Sequence, residues 1–499
     1  MRPLVVVAIA LGTSACVVGP NYVKPDAPVP PAFREPLPAA FKEAAGWARG
    51  TPLDDMHRGK WWEIFNDEQL SKLEDQIDIN NQTLASAEAT YRAAQAAIRV
   101  ARAGYYPTLS GGTSVLGEGT SGKVGAFANS AGAQQYAVVA LPSISASWAP
   151  DLFGSIRRSV EADVDLAQAS AGDLENTRLL LQSELASDYF IIRGLDTEKR
   201  LLDDTVVAYQ HALDLTVNRF RQGVASQVDV AQAQTQLAQT QAQATDTLVQ
   251  RQQSEHAIAI LLGRPPSEVT IPVAISRAVP PAIPGVIPSE LLQRRPDIAA
   301  NERRVAAANA QIGVAIAAFY PTLSLTAGGG LESSSLLSLF TWPSRFWSLG
   351  PSFSELFFDA GRRRGITEEA QANYDNTVAV YRENVLTAFQ NVEDNLTALR
   401  VLEQEAAQQA EAVQYADKSL DLANAQYQGG ITTYLQVISA QEIALSNQVT
   451  QVQLQTKRMT AAVSLIQALG GGWEASELPT PKEVTPQKVR KVTAAAATR

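Results

Sequence analysis

The residues that could do chemistry in this chain are few and scattered. Its three histidines, His57, His211 and His256, stand singly, with no His-x-x-x-His pair to present two imidazoles on one helix face. A lone histidine is usually a surface residue or a satisfied core residue. The acidic doublets Asp203-Asp204 and Glu368-Glu369 read most simply as solvated helix faces. No Gly-rich phosphate loop, Cys/His cluster or nucleophile elbow is present in the sequence. The pattern supports neither a hydrolase nor a motor, and the expectation is a non-enzymatic protein with no metal site and no diffusible cofactor.

The single cysteine, Cys16, takes its meaning from its position. Arg2, an apolar run from Leu4 to Leu11, and the small residues Thr13, Ser14 and Ala15 precede it, which reads as a secretory signal over residues 1–15. With no second cysteine there is no internal disulfide. The segment resembles a bacterial lipoprotein signal, in which the cysteine becomes the lipidated first residue of the mature chain. Thr13 stands where that pattern usually has Leu, so a plain signal peptide is the alternative. Acyl chains on Cys16 would be the only attached group, and several anchor far more firmly than one. No later stretch reaches 18 continuous apolar residues, so no transmembrane helix is expected.

The elements around these residues are written twice. Tyr106-Pro107-Thr108-Leu109-Ser110 returns as Tyr320-Pro321-Thr322-Leu323-Ser324, and Phe220-Arg221-Gln222-Gly223-Val224 returns as Tyr427-Gln428-Gly429-Gly430-Ile431. The offsets, 320 − 106 = 214 and 427 − 220 = 207, are too long for a solenoid repeat and indicate a duplicated domain. The chain of 499 residues is 45% apolar but only 7% aromatic, which favours closely packed helices. Its formal charge of −10, with no Lys/Arg stripe among aromatics, argues against nucleic acid as a partner.

Residues 360–469 make the helical pattern plain. Ile366 to Gln428 contains neither Gly nor Pro, and Val378, Val385, Val392, Leu399, Ala406, Val413, Leu420 and Tyr427 recur every seven residues, as in a coiled coil. The Gly429-Gly430 turn reverses the chain into Thr433 to Leu469. Residues 155–262 repeat the plan around Gly223, with Gly172 and Gly194 interrupting the long helix. Lys60 to Ala103 forms a first helix region. The domain order is then 1–15 signal, 16–59 lipidated start and Pro-rich leash, 60–288 first repeat with its link at 263–288, 289–473 second repeat, and 474–499 flexible tail. The leash, with seven prolines between residues 20 and 38, is expected to hold the body away from the lipid.

Between the helices lie four period-two stretches, at about 106–118, 137–149, 320–332 and 345–355. Trp347, Leu349, Pro351 and Phe353 alternate with Ser348, Gly350, Ser352 and Ser354; Leu323, Leu325 and Ala327 alternate with Ser324, Thr326 and Gly328. Each stretch is near the length a tilted membrane strand needs. Taken alone, the pattern favours two soluble hairpins with one buried face, but the secretory start and the Gly/Ser face, suited to a wet lumen, reverse that preference. A membrane strand must have every backbone group paired, and four strands are too few to close a barrel. Copies must therefore pool strands around one axis.

The lipoprotein-like start, Gly19-Pro20-Asn21-Tyr22, Trp61-Trp62 with Phe65, and the doubled motifs together resemble the outer-membrane efflux protein family of the TolC and OprM type, in its lipoprotein (NodT-like) branch. The resemblance covers residues 16 to 473. It implies a TolC-like, mainly α fold with membrane β: a homotrimer with a twelve-stranded β-barrel continuous with a long α-helical coiled-coil barrel in the periplasm. It also implies a passive exit duct for small molecules such as drugs or toxic compounds, set in outer-membrane lipid and working with a periplasmic adaptor and an inner-membrane transporter. The helix tips would be the gate, with the adaptor docking at the turns of Gly223, Val224, Gly429, Gly430 and Ile431. Asp229 and Tyr427 match two members of the family's closed-state lock, while Thr432 stands where its basic member belongs. Val228 follows the first turn. Leu435 matches the leucine that narrows the aperture; Ser439 and Glu442 replace an acidic ring member and an arginine. Asp229 has a second reading, as a cap of the helix after the turn. Two other functions stay open: a type I protein-secretion duct of the same fold, and a periplasmic adaptor or coiled-coil scaffold, which would ordinarily carry one helical hairpin rather than two.

Overall fold

The structure, a computed structural model, describes residues 17–34, 60–119, 136–276, 278–283, 288–333 and 337–485, without the side chains of 114–119, 136–142 and 288–290. Cys16, His57, the signal segment and residues 486–499 lie outside the described residues.

The first helix region divides although it contains no breaker. Asp67 starts α1 (Glu68–Asn80), its carboxylate accepting from the backbone N–H of Gln69 and Leu70 at 2.9 and 3.0 Å. Asn81 then takes an extended conformation, caps α2 (Gln82–Ala103) through the Leu84 N–H at 2.9 Å, and donates its amide to Leu261 O at 2.7 Å. One side chain ends a helix, starts the next and ties both to a distant segment.

After α2 come β1 (Thr108–Gly119), β2 (Tyr136–Trp148), α3 (Ser155–Arg221) and α4 (Gln227–Leu261). The second copy follows as α5 (Pro288–Arg294), α6 (Pro296–Ala317), β3 (Thr322–Leu331), β4 (Arg345–Ser354), α7 (Arg362–Gln428) and α8 (Tyr434–Ala468). Helices α3 and α7 are both 67 residues, and α4 and α8 both 35. The offset is constant, 362 − 155 = 434 − 227 = 207, so the two hairpins are one structure made twice. At about 1.5 Å per residue the long helices reach roughly 100 Å.

Gly172 and Gly194 do not interrupt α3. A Cβ on Gly194 would lie 2.0 Å from Thr456 Oγ1 on α8, and one on Gly172 would lie 3.0 Å from Ala300 Cβ and Pro296 O on α6. These glycines mark close helix approaches, a non-local reason that a local propensity rule cannot see. The seven-residue stripe of α7 is buried at Val385, Val392, Leu399 and Tyr427, and half-buried at Val378, Ala406, Val413 and Leu420. The main core lies where α3, α7 and α8 meet α1 and α6, around Leu185, Tyr189, Tyr381 and Ile466. No helix among the described residues is long and apolar enough to cross a membrane.

The four strands form one antiparallel sheet in the order β1-β2-β3-β4. Its register aligns the alternations: Leu109 opposes Ala146, Ile144 opposes Gly329, Trp148 opposes Leu325, and Leu323 opposes Phe353. Their partners on the other face are Ser110 with Ser145, Ser147 with Thr326, and Ser324 with Ser352. Because side chains alternate with period two, over residues 108–113, 143–148, 322–330 and 347–354 one face of the sheet carries the large apolar side chains and the other is built of Gly, Ser and Thr. Ser110 and Ser145 hydroxyls hydrogen-bond across the polar face at 2.8 Å.

Two expectations are corrected. The Pro-rich leash does not stand off from the body over residues 17–34, where it is strapped along it. Val18 N–H donates to Phe153 O at 3.2 Å, the Arg158 guanidinium donates to Val18 O, Gly19 O and Asn21 Oδ1, and Asn309 donates to Pro20 O at 3.0 Å. Tyr22 OH donates to Glu302, and Phe33 packs edge-on against Phe389 with centroids 6.3 Å apart. Prolines suit such a strap because they lack the N–H groups that a non-pairing extended chain would leave unsatisfied. The tail is likewise packed over residues 474–485: Gln168 donates to Pro479 O at 2.8 Å, and Val484 is fully buried with Ile98, Val160 and Val164.

One buried acid stands without a partner among the described residues. Glu74 on α1 is fully buried and neither carboxylate oxygen has a hydrogen-bond partner, so burial, with Asp75 and Asp78 nearby, pushes its pKa well above the usual range. The folded state then holds a proton that the unfolded chain releases near its ordinary pKa of about 4.3. Stability contributed by Glu74 is therefore present at low pH and falls as pH rises above that value. Glu74→Leu should raise the thermal midpoint at pH 8 and flatten its pH dependence; an unchanged or lower midpoint at pH 8 would contradict this account.

Candidate functional site: the paired helix tips

Both hairpins turn in the same way. Gly223 and Gly430 sit at φ 78° and 72°, the left-handed region that favours glycine. The N–H of Val224 closes on Arg219 O at 2.9 Å and that of Ile431 on Gln426 O at 2.9 Å, satisfying the last carbonyls of α3 and α7. Gly429 is right-handed and needs no glycine. The motif projects Val224 and Ile431 into solvent at matched positions, 70% and 80% exposed. One turn on, Val228 and Leu435 are also matched, 435 − 228 = 207, and also exposed. Ser439 is exposed, four residues beyond Leu435.

The helices after the turns start differently. Ser226 and Asp229 form a capping box on α4: Asp229 N–H donates to Ser226 Oγ at 3.2 Å, and Ser226 N–H donates to the Asp229 carboxylate at 2.8 Å. Within one chain Asp229 is a cap. Thr433, at the same place on α8, makes no side-chain cap bond.

Tyr427 is buried, with its ring tilted against Tyr434 at 5.2 Å between centroids. Its hydroxyl has no partner among the described residues. Burial raises Tyr434 to about 12, so it stays a neutral phenol throughout the physiological range. Asp229 and Tyr427 are not joined to each other by any described hydrogen bond.

The sequence reading missed the basic group at this site. Arg219, on α3, donates through Nη1 to Tyr427 O and through Nη2 to Gln428 O, both at 2.8 Å, and its guanidinium lies 4.6 Å from the Tyr427 ring centroid. A cation placed on the last carbonyls of α7 satisfies orphan acceptors and complements the negative end of the helix dipole. Arg219 thereby clasps the two hairpin tips of one chain. The duplication itself held the clue: 219 + 207 = 426, where Gln426 stands, so the clasp is present in one copy only.

At the far end of the helices, the outer edges of β1 and β4 have no strand partner among the described residues. An unpaired edge is tolerated in water but not in lipid.

Comparison with known proteins accords with this architecture. The outer membrane efflux protein family matches residues 73–264 and 287–471, one match in each repeat. Outer membrane protein OprJ of Pseudomonas aeruginosa is 32% identical over 470 residues, covering 93% of this chain and 95% of that protein. The toluene efflux pump outer membrane protein TtgC of Pseudomonas putida is 30% identical over 482 residues, covering 94% and 95%. A crystal structure of a Pseudomonas aeruginosa membrane protein superposes with a TM-score of 0.81 at 29% identity, over 91% of this chain and all of that one. CusC superposes at 0.79 and 27% identity, over 92% of this chain and 100% of that one. With the family matched in both repeats and relatives aligned over nearly their whole length, this chain belongs to the outer membrane efflux protein family and has its TolC-like fold.

Proposed function

We propose that the chain is the outer-membrane exit duct of a tripartite efflux system for small molecules, passive in itself and gated at the helix tips. The observation that carries this reading is the sheet: one apolar face, one Gly/Ser/Thr face, two open edges and a direct run into two equal helical hairpins. A lipid-facing ring of such sheets needs copies to pair β4 of one with β1 of the next, and three copies give the twelve strands of a homotrimeric barrel. The helices then continue it as a periplasmic α-barrel that ends at Leu435, Ser439 and the lock candidates Asp229, Tyr427 and Arg219. A periplasmic adaptor would dock at the exposed Val224 and Ile431 turns, and an inner-membrane transporter would supply the energy. A relative named for toluene efflux supports small apolar or toxic compounds as cargo. Purified protein added to planar bilayers should insert and give discrete conductance steps; material that stays in solution without conductance would contradict the duct.

The same reading places a lipid anchor at Cys16. Val17, the first described residue, packs on Gly154 and Val18 bonds to Phe153 O, just beyond the end of β2 at the foot of the sheet, a level at which acyl chains on the preceding residue would enter the periplasmic leaflet. Cys16→Ala should abolish labelling by a palmitate analogue while trimers still form, because the barrel supplies membrane burial of its own. Loss of all trimer on that change would contradict it.

A further inference from the structure

We infer that the foot of the sheet carries a binding band for anionic phospholipid headgroups of the periplasmic leaflet, assembled at each seam between copies; this rests on the ring proposed above. Two observations lead to it. First, the helix-side ends of the strands expose aromatic residues continuous with the apolar face, foremost Phe357 and Phe358, 88% and 84% exposed, beyond β4. Aromatic residues at that level mark where a membrane strand leaves hydrocarbon for headgroups.

Second, four exposed arginines stand at the helix ends that adjoin the feet of β1 and β4, their guanidinium groups without partners among the described residues. Arg99 and Arg102 occupy one face of the last turns of α2, and Arg362 and Arg364 the first turn of α7. None of the four guanidinium groups has a hydrogen bond or ion pair among the described residues. Arg362 and Arg364, in the first turn of α7, oppose its dipole at a cost, whereas Arg99 and Arg102, near the end of α2, suit theirs. Elsewhere the fold answers that cost: Arg363 is held by Asp359 at 2.7 Å, Arg157 by Asp151 at 3.1 Å, and Arg158 by Glu161 at 2.9 Å. Asp359, the nearest acid along the chain to Arg362, is engaged by Arg363, and no ion pair joins Glu355, Glu368 or Glu369 to these arginines among the described residues. By chain position the four arginines flank the two open edges. Arg102 lies just before β1 and Arg362 just after β4, so pairing β4 with a neighbour's β1 brings both groups together.

Guanidinium groups gathered at headgroup depth, under aromatic rings that reach into the acyl region, suit a phosphodiester that accepts paired N–H bonds while its chains lie on the apolar face. The occupant is a phospholipid of net negative charge, with phosphatidylglycerol as the probe.

Native mass spectrometry of the full-length, detergent-extracted protein tests this with phosphatidylglycerol or phosphatidylcholine added. Charge-assisted hydrogen bonds contribute about 1.5–3 kcal/mol, so wild-type particles should retain phosphatidylglycerol roughly tenfold or more over phosphatidylcholine. Arg99→Gln/Arg102→Gln/Arg362→Gln/Arg364→Gln should lose that preference at unchanged particle mass. Equal retention of the two lipids by wild type, or an undiminished preference in the variant, would overturn the headgroup site while leaving the ring intact. A single-chain wild-type particle would overturn the ring and the seam with it. Should the fourfold variant fail to assemble, Arg102→Gln/Arg362→Gln and the wild-type lipid comparison decide.

Discussion

Arg219→Ala should open the duct. The change deletes two hydrogen bonds to the end of α7 and a cation–π contact with Tyr427; the Tyr427 carbonyl keeps the Gly430 N–H at 3.0 Å, while the Gln428 carbonyl loses its side-chain donor. Charge-assisted bonds and a partly buried cation–π contact together suggest about 2 kcal/mol of lost closed-state preference, roughly a thirtyfold shift in the gate equilibrium. The measurement is single-channel conductance and open probability in planar bilayers. Tyr427→Phe separates two origins of closure. Its hydroxyl is unpartnered within the chain, so if closure is held inside each chain by Arg219, removing the hydroxyl leaves conductance unchanged. If the hydroxyl bonds to a neighbouring copy, Tyr427→Phe and Asp229→Ala open the pore together. Conductance unaltered by Arg219→Ala would remove the clasp from the gate.

Asp196→Ala should cost more stability than any exposed ion pair. Asp196, on α3, accepts from Arg251 Nε at 2.6 Å, from Arg193 Nη1 at 3.3 Å and from the Ala274 N–H at 3.0 Å. The two arginines also hold the link between the repeats, Arg193 through Pro272 O and Arg251 through Ile271 O, each at 2.7 Å. All three side chains are largely or wholly buried. Removing the anion leaves the buried Arg193 with no carboxylate and Arg251 with Glu255 alone, at about 3–5 kcal/mol. The Arg200–Asp204 pair is a fit comparison, since both side chains are more than 60% exposed. Asp204→Ala should cost under about 1 kcal/mol. The thermal midpoint of the detergent-extracted protein reads both, and limited proteolysis at residues 271–276 should accelerate only in Asp196→Ala. Equal effects of the two changes would refute the network.

What the sequence makes legible is whatever has a short period or a demanding backbone. The alternation of Trp347 to Ser354 and of Leu323 to Gly330 marks strands, since only a pleated chain sorts neighbours to opposite faces. The seven-residue stripe of α7 and the Gly223 and Gly430 turns are equally plain. What stays hidden depends on partners far along the chain. Nothing near Asn81 announces that it will end α1 and start α2, because its anchor is Leu261. Gly172 and Gly194 read locally as breakers and are instead contact points with α6 and α8. Tyr22 and Arg158 turn a Pro-rich segment into a strap only through Glu302 and the Gly19 and Val18 carbonyls. At the gate, the matched turn residues were visible, whereas Arg219 was not, since its acceptors are backbone carbonyls that carry no sequence signature.

The most direct test concerns the open edges of β1 and β4. Light scattering on protein extracted from outer membranes, with the detergent contribution subtracted, should give three chains per particle. One chain per particle, water-soluble and stable without detergent, would mean that these edges need no neighbour and that the sheet never seals a ring in lipid.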